Sequence, residues 1–106
     1  MPIKWSALKV SEAASMIEEY INQAAEPLEQ ARIVASEARK IANLPQYIAQ
    51  DFTRLMGEID RAIGGSQWEP TGRLKAGIEG IRKNLPEGSV AAERDAAKYG
   101  TTRSLI

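Results

Sequence analysis

From Ala14 onward the apolar residues step by alternating threes and fours: Ala14, Ile17, Ile21, Ala24, Leu28, Ala31, Ala35, Ala38 and Ala42. A spacing that averages about 3.5 residues puts all nine on one face of a helix that lies along another helix. Ala13, Tyr20, Val34 and Ile41 flank the row and widen it beyond a two-stranded seam. So wide an apolar stripe has to be covered, either by the rest of the chain or by a second copy. The pattern therefore constrains packing before it says anything about chemistry.

Ser11 followed by Glu12 reads as the start of this helix. A hydroxyl caps a free N–H there, and an acid favours the positive end of the dipole. The predicted helix runs to about Ala42, ~48 Å at ~1.5 Å per residue. Pro27 interrupts it. Proline removes one backbone hydrogen bond and clashes with the preceding turn, so a kink is expected. A break, with Pro27 opening a second helix, is the alternative. The unchanged phase of the apolar row across Pro27 favours the kink.

Asn43-Leu44-Pro45 stops the helix and starts the next. The second helix carries Ile48, Phe52, Leu55, Ile59, Ala62 and Ile63 on one face and ends at Gly64-Gly65. So short a connection implies an antiparallel hairpin. The second helix is only ~28 Å long, so it covers the C-terminal half of the first and leaves the N-terminal half open. A loop containing Trp68 follows. A third helix is predicted from about Thr71 to Asn84, with Leu74, Ile78, Ile81 and Leu85 on its apolar side. Gly77 and Gly80 weaken it by up to ~1 kcal/mol each, while Gly77 also permits a close helix approach. Ser89 is expected to cap a fourth helix reaching Tyr99, stopped by Gly100, with residues 100–106 as a tail. Residues 1–10 read as an arm whose Trp5, Leu8 and Val10 fold back onto the domain.

The expected fold is all-α: one domain over residues 1–106, built on a long kinked helix in an antiparallel helical hairpin (11–63) plus one or two short helices (71–99). Residues 66–106 are expected to be its less stable part, with Leu74, Ile78 and Ile81 held against the open half of helix 1 or a second subunit. The motif Asn-Leu-Pro recurs, with Arg32, Ala35 and Asn43-Leu44-Pro45 echoed in the same spacing by Arg73, Ala76 and Asn84-Leu85-Pro86. Two helices ending with the same punctuation explain this more simply than a duplicated hairpin.

Composition narrows the chemistry. The chain of 106 residues has neither cysteine nor histidine. Disulfides and thiol nucleophiles are therefore excluded, and the commonest general base and metal ligand is missing. Glu12, Glu19 and Glu26 lie opposite the apolar stripe, as solvated residues do, rather than projecting inward as in di-metal bundles. Gly64-Gly65-Ser66 has no preceding strand and no following Lys-Ser/Thr, so it is a helix stop and not a phosphate loop. Fourteen basic residues balance 14 acidic ones, which argues against a partner made of nucleic acid. No stretch approaches the ~20 apolar residues of a membrane span. The first ten residues hold no apolar run of the signal-peptide kind, so the expected location is cytoplasmic.

Acids gather in the first part of the long helix (Glu12, Glu18, Glu19, Glu26, Glu29) and bases in its last part (Arg32, Arg39, Lys40). Complementarity to the helix dipole accounts for this. Two copies packed antiparallel would exploit the same pattern. The functional expectation is thus a non-enzymatic protein–protein association module without cofactor or metal. It is expected to form a homo-oligomer or to meet a helical protein partner, through Ala14, Ile17, Tyr20, Ile21, Ala24 and Leu28. The alternatives are a nucleic-acid-associated or regulatory helical protein, and an accessory subunit that stabilises a catalytic partner.

Overall fold

The computed structural model describes residues 4–23, 27–64 and 72–104. These form five α-helices and no strand: α1 (Ala7–Gln23), α2 (Leu28–Ala38), α3 (Gln46–Gly64), α4 (Gly72–Lys83) and α5 (Ser89–Ser104). Successive helices from α1 to α4 pack on one another, and α4 packs back on α1. The diagonal pairs keep their backbones apart. The result is an up-and-down four-helix bundle around one core.

The cross-helix contacts give the register. Arg32 meets Asp60 and Arg39 meets Thr53, so α2 and α3 run antiparallel. Asp51 meets Asn84, and Leu55 faces Gly77, so α3 and α4 do too. The core is entirely apolar among the described residues. Val10, Ile17, Ile21, Leu28, Ile48, Phe52, Leu55, Ile59, Leu74, Ile78 and Ile81 are its large members.

The single long kinked helix is not what forms. Its N-terminal part is α1 and its C-terminal part is α2, two separate helices packed side by side. Pro27 occupies the N-cap position of α2, and its carbonyl accepts from Ala31 N at 3.0 Å. A proline costs nothing there, because the first N–H groups of a helix have no intrahelical partner. The apolar phase continued across Pro27 because both helices turn the same stripe toward the same core. Phase alone does not distinguish a straight continuation from a fold-back.

The helix ends also move. Helix α1 begins at Ala7, and Ser6 is its cap: Lys9 N donates to Ser6 Oγ at 3.0 Å and Val10 N to Ser6 O at 3.2 Å. Ser11 lies one turn inside. Helix α2 ends at Ala38, earlier than the expected Ala42, and Asn43 turns the chain with φ 62°. Pro45 then serves α3, its carbonyl accepting from Ile48 N and Ala49 N at 3.1 and 3.0 Å. Gly100 does not stop the last helix, which continues to Ser104. A tail over 100–106 is therefore corrected to helix as far as residue 104. The loop around Trp68 lies outside the described residues.

Helix α4 is a full bundle member despite its glycines. Leu74, Ile78 and Ile81 are fully buried, and they close the side of α1 that the hairpin alone would have left open. A Cβ added at Gly77 would sit 3.2 Å from Leu55 Cδ1, whereas one at Gly80 would meet nothing within 4 Å. Gly80→Ala should therefore stabilise the protein by up to ~1 kcal/mol, raising the melting midpoint by ~4–8 °C. Gly77→Ala should gain less, because Leu55 has to give way. Melting curves followed by circular dichroism check this. Equal gains from the two would mean that α3 and α4 are not closely packed at Leu55.

The recurring Asn-Leu-Pro segments sit at the same end of the bundle, after α2 and after α4. Leu44 and Leu85 both pack against the core there. The asparagines do different work: Asn43 Nδ2 donates to Lys4 O at 3.4 Å, and Asn84 Nδ2 to Asp51 Oδ2 at 2.5 Å.

Candidate docking site at the base of α5

Of the residues expected to meet a partner, Ala14, Ile17, Ile21 and Leu28 are at most 1% exposed within this single chain. They are core. The helices that cover them are α2 on one side and α4 on the other. Tyr20 is half-buried on the flank of α1 opposite Glu18, about 200° round the helix. Because Glu18 faces α4, Tyr20 lies toward α2. Ala24 is outside the described residues. Burial of the stripe inside one chain corrects the expectation of an open N-terminal half.

The polar edges of the bundle are likewise used internally. Arg82 on α4 donates through Nη1 to Glu18 Oε2 at 2.9 Å and through Nη2 to Glu18 Oε1 at 3.2 Å. It also reaches Ser15 Oγ at 3.4 Å and Glu79 Oε1 at 2.9 Å. Arg32 Nε meets Asp60 Oδ1 at 2.6 Å across the α2–α3 edge. Of the charges that suggested antiparallel pairing of two copies, Glu18, Arg32 and Lys40 find ionic partners in this chain. The hydrogen bonds from Arg82 are the main reason the Glu18 carboxyl is held below its ordinary value of 4.5. The bonds to Glu18 likewise raise the Arg82 guanidinium.

A lowered carboxylate stabilises the fold at pH above its unfolded value, and that stability is lost as pH falls through the folded one. Glu18 and Arg82 are 40% and 30% exposed at their side chains, so solvent screening keeps the effect below ~1 kcal/mol. The stability gap between the wild type and Arg82→Gln should therefore shrink between about pH 6 and about pH 3, and also in 1 M salt. Urea titrations at each condition measure it. A gap independent of pH would remove Glu18 as the partner that matters.

Among the described helices, α5 packs on α1 alone. It has no buried residue among those described. Ser89, Val90 and Glu93 are half-buried against the start of α1, and Arg94 to Lys98 are exposed. The molecule measures 58 × 25 × 20 Å, while the longest bundle helix, α3 with 19 residues, spans only ~28 Å. The excess length fits an α5 that leaves the end of the bundle as an arm.

At its base, Lys4, Trp5, Pro86, Gly88, Ala92 and Ala96 line a cleft of about 730 Å³. Trp5 is half-buried and packs against the core from this side. Ser89 Oγ donates to Pro86 O at 2.6 Å, stiffening the start of α5. Gly88, with φ 77°, makes the turn into α5, a backbone conformation that an L side chain rarely adopts. Glu93 fastens the base: one oxygen accepts from the Ser6 hydroxyl and the other from Leu8 N at 2.9 Å.

Sequence reasoning missed the Ser6 cap, although a signal existed. Ala7 and Val10 extend the three-and-four row backward in phase, past Ser11. The partnership of Ser6 with Glu93 had no such signal, because no local pattern links residues 87 positions apart. No group of acidic residues that could hold a metal ion occurs among the described residues. No described helix is long and apolar enough to cross a membrane. Compared with protein-family models, with curated proteins and with solved structures, the chain finds no significant match in any of the three.

Proposed function

We propose that the protein is a non-enzymatic helical association module that meets a helical partner, a second copy of itself included, through α5 and the cleft at its base. The carrying observation is that α5 is a 16-residue helix with no buried residue among those described. A helix of that length is marginal in water unless something packs on it. Among the described residues of α5, Ser89, Val90 and Glu93 are half-buried and the others exposed. A partner laid along α5 and into the cleft would supply the missing cover, with Trp5 as an apolar anchor of the kind that dominates interfaces.

The non-enzymatic part of the reading draws on the absence of cysteine and histidine and on a core without a buried polar side chain among the described residues. The accessory-subunit reading uses the same surface and differs only in what the partner does. A nucleic-acid partner is less well supported. Net charge is zero, and the Arg82 guanidinium is already engaged by Glu18 and Glu79.

Light scattering behind a sizing column tests self-association directly. The full chain should show a mass above the monomer at tens of micromolar. Ala96→Arg, which places a charge in the cleft, should return it to the monomer without loss of helix content. A clean monomer at every concentration would remove the second copy. An unchanged oligomer in Ala96→Arg would remove α5 as the contact.

A further inference from the structure

We propose that the outer face of α1 docks, antiparallel, on the outer face of α3 in a second copy of the chain, so that copies join head to tail. This contact uses neither α5 nor the cleft at its base, and it stands whether or not those meet a partner.

The two faces match in register. On α1, Glu12, Met16 and Glu19 are exposed on the solvent side, although α5 also packs on this helix. On α3, Arg54, Gly57 and Arg61 are exposed on the solvent side. Steps of four and three residues on α1 meet steps of three and four on α3. Laid antiparallel, Glu12 comes level with Arg61, Met16 with Gly57 and Glu19 with Arg54. The two acids and the two arginines are each ~10.5 Å apart along their helices, at ~1.5 Å per residue. A single register therefore sets both acids against both bases.

The middle of the seam is a knob facing a gap. Met16 is an unbranched apolar side chain left 45% exposed. A Cβ at Gly57 would meet nothing within 4 Å, so no neighbour in its own chain requires a glycine there. Its place inside α3 asks for no special backbone angle either. Glycine in a helix interior weakens the helix relative to alanine. Close approach of another helix gives it a use. At Gly77 that neighbour is Leu55 of the same chain, and at Gly57 it is Met16 of the second copy.

Charge supports the same pairing. Glu12, Glu19 and Arg54 make no ion pair with another described residue. Arg61 reaches Glu58 in its own helix with its side chain mostly exposed, which leaves it open to a second carboxylate. Asp60, beside the seam, is held by Arg32. Complementary charges of this kind fix register and orientation more than they add affinity. Because α1 and α3 are diagonal in the bundle and make no contact with each other, their outer faces point away from one another. Each copy thus offers one face to one neighbour and the other face to the next. Such a heterologous contact continues into a ring or an open chain rather than closing as a symmetric dimer.

The test uses the full chain carrying Ala96→Arg, which places a charge in the α5 cleft, so that this contact and the one through α5 fail separately. A single helix-on-helix seam is small and weak, so sedimentation equilibrium is run at ~0.5 mM protein in ~20 mM salt. The average mass should pass beyond the dimer as concentration rises and return to the monomer in ~1 M salt. Glu19→Arg and Arg54→Glu, each added alone, should weaken the association at least ~10-fold. Mixed with each other, these two variants should associate again, because each then meets its complement at both faces. Gly57→Gln should abolish association without lowering the melting midpoint, and Gly80→Gln should leave association intact. A monomer at low salt would overturn the head-to-tail contact. So would a mass that saturates at the dimer, a mixture of the charge variants that stays monomeric, or a Gly57→Gln protein that associates as before.

Discussion

Ile17→Glu should abolish the folded state, leaving a chain without cooperative unfolding. Ile17 is fully buried within the single chain. Among the described residues no polar or charged side chain is buried that could pair with the new carboxylate. Burying it ionised costs several kcal/mol, and burying it protonated still leaves an unpaired hydroxyl in an apolar core. Small domains have about 5–15 kcal/mol of stability in total, with the smallest at the low end. Circular dichroism with sizing chromatography distinguishes the outcomes. Loss of helix content places Ile17 in the core of one chain. A folded protein whose only change is a smaller mass would mean that the N-terminal stripe faces a second copy after all, and that α4 does not cover it.

The second large effect is expected at Phe52. It is the largest fully buried side chain among the described residues and belongs to α3, which packs against both α2 and α4. Phe52→Ala should destabilise the protein by ~3–5 kcal/mol, through lost burial and the cavity left behind. At ~4–8 °C per kcal/mol the melting midpoint should fall by at least ~12 °C. Tyr47→Ala on the same helix, at a residue 54% exposed, should change stability by less than ~0.5 kcal/mol. Comparable losses in the two variants would mean that α3 is turned differently about its axis.

Both predictions rest on features of unequal visibility in the chain. The alternation of apolar residues carried the helical class, the identity of the buried faces and the role of Leu74, Ile78 and Ile81, because side-chain periodicity is a local property of a helix. The same alternation hid the break at Pro27. Two helices folded back on one another bury the same stripe as one helix continued, so the row reads identically for both. The charge gradient along residues 12–40 was legible too, but its partners were not. Glu18 pairs with Arg82, 64 residues on, and Arg32 with Asp60, 28 residues on. Only the fold brings them within reach.

Sequence by itself determined that the chain is helical, which residues form its apolar faces, and that Gly77 sits where another helix comes close. The tertiary structure decided what those faces meet. By folding α2 back on α1 and bringing α4 alongside α1, it placed Ala14, Ile17, Ile21 and Leu28 inside one chain and left the least buried described helix at the other end of the sequence. Helix α5 has almost no apolar periodicity, so nothing local marked which helix it would meet. Its anchor joins residues 6 and 8 to residue 93, a contact set by the closure of the bundle and by no pattern along the chain. Periodicity selects the face a helix buries. Which neighbour buries it depends on chain reversals whose cost and geometry are settled only when all the helices pack at once.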